Sequence, residues 1–155
     1  MPPPALGPEG GMQPGSRAVD VLAFSAGRNS DGPLIVLQHM PSTLVLGIDP
    51  HTVPGMDGDA LRAVLDKELA RFGEHGIDAS MALIALDDTA ESTVIGALTA
   101  HAWDVVVIGG GIRKPETLLV FFELVVNLVR RHAPAAAIAF NTSGGDSVEA
   151  ARRWL

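Results

Sequence analysis

The residues best suited to chemistry fall in two short loops. The first is Gly109-Gly110-Gly111-Ile112-Arg113-Lys114-Pro115, which follows a run of aliphatic residues. Consecutive glycines let a backbone bend sharply and approach a ligand without Cβ obstruction. N–H groups freed in such a turn, with the start of a following helix, can hold an anion. Arg113 adds a planar, two-pronged donor suited to phosphate or carboxylate. The spacing is that of neither a P-loop nor a dinucleotide fingerprint, and Glu116 puts a negative charge where an anion would want none. The plainer alternative is a tight turn whose glycines serve geometry alone.

The second loop is Asp49-Pro50-His51-Thr52. Asp49 could fix a ligand hydroxyl or a metal. The imidazole of His51 could act as general acid or base. The alternatives are a strand-terminating turn and an exposed loop histidine. Asn141 and Thr142 end a further aliphatic run. The candidate ligand-binding set is therefore Asp49, His51, Gly109, Gly110, Gly111, Arg113, Asn141 and Thr142. Asp88 reads as a helix cap more simply than as half of a carboxylate pair with Asp87. No histidine pair has ligand spacing on a helix, so no metal site is expected. A Gly-x-Ser-x-Gly elbow is absent, which leaves a hydrolase triad without support. Neither a cofactor nor a catalytic residue is singled out.

These loops must be positioned by the elements around them. Strand and helix alternate four times between Met40 and Leu155. Strands are expected at Thr43–Ile48, Ser80–Leu86, Asp104–Ile108 and Ala136–Phe140. Helices are expected at about Asp59–Phe72, Asp88–Ala102, Glu116–His132 and from Asp146 onward. Leu61, Val64, Leu65, Leu69 and Phe72 follow the helical period. Asp88-Thr89-Ala90-Glu91 and Asp146-Ser147-Val148-Glu149 have the form of capping boxes. Solid aliphatic strands are buried on both faces, and alternation with helices makes them parallel. The expected fold is an α/β, open three-layer, doubly wound parallel sheet of about four strands, flavodoxin-like, in the order 2-1-3-4. A Rossmann half in the order 3-2-1-4 is the alternative. In the first arrangement a ligand crevice lies beyond the carboxyl ends of strands one and three, where both loops emerge.

Composition narrows the function classes. The 155 residues are 47% hydrophobic and carry a net charge of −7. A general nucleic-acid binder would need a basic surface, and an anionic membrane surface is disfavoured for the same reason. Without cysteine, disulfides, thiol nucleophiles and Cys-based zinc sites are excluded. No apolar run is long enough for a membrane span, since Glu123 and Asn127 interrupt the longest. The expected location is the cytoplasm. Residues 1–39 are rich in Gly and Pro and read as a partly disordered extension, with Val19–Phe24 or Pro33–Gln38 as candidate edge strands. Met40 is expected to be a natural start, which makes residues 40–155 a single domain.

Helix 116–132 is apolar around most of its circumference. A helix on the outside of a small sheet should bury one face only. The excess predicts a homo-oligomer, with Leu118, Phe121, Phe122, Val125 and Val129 at its interface.

The stretches Val105–Arg113, Phe121–Asn127, Ala139–Thr142 and Val148–Leu155 resemble a group of short, uncharacterised bacterial flavodoxin-like or Rossmann-like proteins. The resemblance spans about Ser42 to Leu155 and implies the fold but no catalytic residues. At the level of fold the chain also resembles response-regulator receivers. It departs from them where the phosphoacceptor aspartate should end strand three, because Gly109-Gly110-Gly111 stands there, and it lacks a fifth strand with its lysine.

Two functions compete. One is a site for a small anionic ligand in the crevice. The other is a non-catalytic, receiver-like interaction module acting through helix 116–132. A nucleotide binder has less support, because no ribose- or base-specific feature is visible.

Overall fold

The structure, a computed structural model, describes residues 40–155. The readings made for residues 1–39 lie outside the described residues. In chain order the elements are β1 (Ser42–Ile48), α1 (Gly58–Glu74), β2 (Asp78–Ile84), α2 (Ala90–Thr99), β3 (Val105–Ile108), the single turn α3 (Gly110–Arg113), α4 (Leu119–His132), β4 (Ala137–Phe140) and α5 (Ser147–Arg152). Short 3₁₀ turns occupy Pro50–Thr52 and Glu116–Leu118.

The four strands are parallel and lie in the order β2-β1-β3-β4. This is the doubly wound, flavodoxin-like layout and not the Rossmann half. Two separate packing layers show why the aliphatic strands read as solid runs. On one face Leu44, Leu46, Val106 and Ile108 meet Val94 and Leu98 of α2 and Val125, Leu128 and Val129 of α4. On the other, Val45, Val105 and Val107 meet Phe72 of α1 and Val148, Ala150 and Ala151 of α5. Successive strand residues point to opposite faces, so both sets must be apolar.

Element ends differ from the sequence reading where a partner decides them. β2 runs two residues earlier than the expected Ser80–Leu86. Its register is dictated by β1, with Ser42 opposite Asp78 and Ile48 opposite Ile84. β1 stops before Pro50, so Ala85 and Leu86 have no strand to pair with. α2 is not capped by Asp88. Its N-cap is Thr89, whose N–H donates to the Asp87 carboxylate at 2.8 Å. That bond and one from the Thr89 hydroxyl hold Asp87 below its usual carboxylate pKa. The expected helix 116–132 divides into a 3₁₀ turn, Glu116–Leu118, and α4 from Leu119. The glycine after α1 was the more legible stop: Gly76 sits at φ +69°, the left-handed region that favours glycine.

The second capping box also takes another form. Asp146 turns back, and its carboxylate accepts from the N–H groups of Thr142 and Ser143, both at 2.9 Å. The N–H of Val148 is instead taken by Glu68 of α1, at 3.0 Å. Glu68 is almost fully buried, and Arg71 binds it at 2.8 Å while also reaching Gly145 O and Glu149. A buried carboxylate needs such partners to offset its desolvation. The Glu68–Arg71–Glu149 group thereby fixes α5, and the loop leading into it, against α1.

Candidate functional site

A crevice of about 540 Å³ opens beyond the carboxyl ends of β1 and β3. Doubly wound sheets leave such a gap where successive connections run to opposite faces. Its floor is the strand ends Leu46–Ile48 and Gly109. Leu61 and Leu65 of α1 and Met81 and Leu83 of β2 form one wall. Pro50, Val53 and Met56 of the first loop form a second. The remaining wall is the stretch Gly110–Leu118 in part, with Asn141, Ser143, Gly144 and Ser147. The volume falls in the range of drug-sized ligand pockets, which are mostly apolar with a few placed polar groups.

The glycines are there for close approach and not for unusual backbone angles. None of Gly109, Gly110 and Gly111 has a positive φ. Gly109 donates to Leu46 O at 2.8 Å, and a Cβ on it would sit 3.0 Å from that same oxygen. Gly110 and Gly111 continue directly into the single turn α3, and Gly110 N donates to Asn141 Oδ1 at 3.0 Å. The expectation of a sharply bent loop with freed N–H groups is corrected on this point. The backbone is a helical turn laid against β1, because β3 ends here and its last N–H is still taken by β1.

Arg113 also takes a different place from the one expected. Its guanidinium donates to Ile108 O at 2.9 Å, to Asn141 O, and to Asn141 Oδ1 at 3.2 Å. It lies over the Phe140 ring, 5.1 Å from the centroid. Burial pulls its pKa below the usual guanidinium value, with the Asp146 carboxylate acting against the shift. With Nε and Nη2 bonded to groups that end β3 and β4, this cation is a clamp on the sheet edge. It is not among the residues that line the crevice.

Of the eight candidate ligand residues, Gly109, Gly110, Gly111 and Asn141 line the crevice, while Asp49, His51, Arg113 and Thr142 do not. Asp49 closes its own turn by accepting from His51 N at 3.0 Å. His51 is exposed, and its Nε2 lies 3.7 Å from the exposed Asp59 carboxylate. Its ring covers Gly58, where any Cβ would collide with it. Thr142 contributes its carbonyl, which accepts from Lys114 Nζ at 2.6 Å. Asn141 is buried and fully engaged: its Oδ1 accepts from Gly110 N, and its Nδ2 donates to Ser147 Oγ at 3.0 Å.

Sequence reasoning passed over Lys114, Leu61 and Leu65. Among the described residues, Lys114 is the one ionisable side chain in the crevice lining. Its stem runs across Gly110, which has no side chain to obstruct it. The signal for Lys114 was its place beside Arg113, but only the fold decides which of two adjacent cations faces the crevice. Leu61 and Leu65 were visible as an apolar helical stripe, and that stripe continues past the core to the crevice wall.

The expected interface needs correction as well. Val125 and Val129 are 0% and 1% exposed, and both belong to the core under α4. Phe122 packs edge-to-face on Phe140, with centroids 6.0 Å apart, and Leu118 lines the crevice. The helix looked too apolar because it contacts both the sheet and α2, so two of its faces are covered. Leu119 and Val120, at 59% and 76% exposed, are what remains outside.

A smaller depression of about 270 Å³ lies beside β2, lined by Asp78, Ser80, His101 and Trp103 among others. Among the described residues no group of three or more His, Asp or Glu side chains could hold a metal, and no helix is long and apolar enough to cross a membrane. The chain matches no family model. A comparison with curated proteins likewise finds no similar sequence.

Proposed function

We propose that this domain binds a small molecule with a largely apolar body in the crevice between the β1 and β3 ends. One observation carries the reading: a cavity of about 540 Å³ whose walls are largely aliphatic and methionine side chains, with polar groups confined to the Gly109–Thr117 and Asn141–Ser147 side. Apolar side chains left around an opening lose burial, about 25 cal/mol per Å² of surface kept wet. An apolar ligand recovers that loss. Among the described residues the lining holds one ionisable side chain, and the reading is accordingly one of binding.

Gly144 provides the test. It has no positive φ, and a Cβ placed on it meets only Leu65 and Val64, at 3.4 and 3.7 Å. Gly144→Leu would fill the crevice without straining the backbone. The neutral fluorophore N-phenyl-1-naphthylamine should brighten on binding the wild type, and Gly144→Leu should abolish that signal while thermal unfolding stays unchanged. Equal brightening in both proteins would refute the reading.

A second reading, self-association through α4, is favoured by the exposure of Leu119 and Val120. Exposed Glu123 and Arg130 lie on the same helix, so an antiparallel pairing of two copies would set opposite charges facing one another. Sedimentation should then give a dimer for the wild type and a monomer for Val120→Glu. A wild-type monomer at high concentration removes this reading.

A further inference from the structure

We infer that the crevice selects a ligand carrying one anionic head group, and that Lys114 Nζ is its anchor. The inference rests on the crevice reading above and names the class of ligand: a free, single-bodied anionic amphiphile, such as a carboxylate or sulfonate on an apolar frame.

The protein is acidic overall, with a net charge of −7. The crevice inverts that balance, because among the described residues its charged lining residue is a lysine. The carboxylates nearest in sequence to the lining are occupied by backbone donors. Asp49 accepts from His51 N, Asp57 from Ala60 N at 3.0 Å, and Asp146 from Thr142 and Ser143. Glu116, between the lining residues Pro115 and Thr117, is exposed and outside the lining. The neighbouring cation, Arg113, is committed to the carbonyls of Ile108 and Asn141.

Lys114, unlike Arg113, lines the crevice and makes one hydrogen bond. An ammonium has three donors, and the bond to Thr142 O uses one of them. The two others remain for an acceptor in the crevice. Ser147, on the same wall, accepts from Asn141 Nδ2 and keeps its own hydroxyl proton to donate. The volume of about 540 Å³ suits one compact ligand. An apolar body against Leu61, Leu65 and Met81, with its charge toward Lys114, satisfies both halves of the lining. A neutral ligand would gain nothing from the ammonium, and a cationic one would meet like charge.

Two fluorophores with the same ring system test this. 1-Anilinonaphthalene-8-sulfonate carries one negative charge, and N-phenyl-1-naphthylamine carries none. In Lys114→Met the affinity ratio of the sulfonate to the neutral probe should fall about tenfold, the scale of one charge-assisted hydrogen bond. The neutral probe itself should bind unchanged. Lys114→Arg should keep most of the wild-type ratio, and raising the ionic strength should weaken the sulfonate selectively. If the ratio is the same in wild type and Lys114→Met while Gly144→Leu still blocks both probes, the crevice binds ligands but the anion inference is overturned. If sulfonate binding survives Gly144→Leu, the crevice reading itself fails.

Discussion

The two ends of the sheet are built from similar strands and finished in opposite ways. At the amino end polar groups close the structure. Ser42 N donates to the Asp104 carboxylate at 2.8 Å, and Ser42 Oγ donates to Ala102 O at 3.1 Å. Asp104 N and O then link β1 to β4 through Ser42 O and Ala137 N. Trp103 fills the space below, its indole N–H on Ala97 O at 2.9 Å. At the carboxyl end glycines take the place of side chains, and the helices stand back. A polar group buried at the first end must find a partner within the protein. The second end leaves mostly apolar walls around an opening. The contrast separates residues that hold the sheet together from residues that keep part of it open.

Substitutions at the two ends should therefore fail differently. The largest stability loss is expected for Asp104→Ala, which strands the N–H of Ser42, a residue 1% exposed. The cost should be about 2–3 kcal/mol in urea unfolding; a loss below about 0.5 kcal/mol would mean the amino end is not stitched by this carboxylate. Next is Arg113→Ala, at about 2 kcal/mol, because it leaves the Ile108 and Asn141 carbonyls short of a charged donor. Its effect on sulfonate binding should be small, opposite to that of Lys114→Met. A strong binding defect with intact stability would return Arg113 to the site. Gly109→Ala should cost about 1 kcal/mol, since its Cβ would crowd Leu46 O. Gly144→Leu, a larger side chain at the same end, should leave stability unaltered.

The smallest effect concerns pH. The Arg71 hydrogen bond holds Glu149 below the usual carboxylate pKa. A lowered pKa in the folded state adds stability above the unfolded value of about 4.3, and that stability is lost as pH falls through the folded value. Wild type should thus be slightly more stable than Glu149→Gln at neutral pH, and the two should converge in acid. A gap that widens on acidification would contradict the pairing with Arg71.

Local pattern carried much of the molecule. The apolar strands, the period of α1 and the stop at Gly76 each follow from a few adjacent residues, because β and helical periods are local properties. Alternation and the handedness of crossovers made the strands parallel and left two strand orders, between which the structure chose 2-1-3-4. The site was legible by place, since the Asp49 and Gly109 loops do emerge at the crevice. It was not legible by role. Asp49 and His51 satisfy themselves or each other at short range, and Arg113 turns to carbonyls 5 and 28 residues away.

By itself, then, the order of residues determined four parallel strands alternating with helices and narrowed their arrangement to two orders. Only the tertiary structure decided that Lys114 and not Arg113 faces the crevice, that Val125 and Val129 belong to the core, and that Leu61 and Leu65 form a crevice wall. The reason is geometric. Period and composition say which side chains must leave water, but whether they meet a helix, a strand end or an opening depends on distant segments that no local pattern encodes.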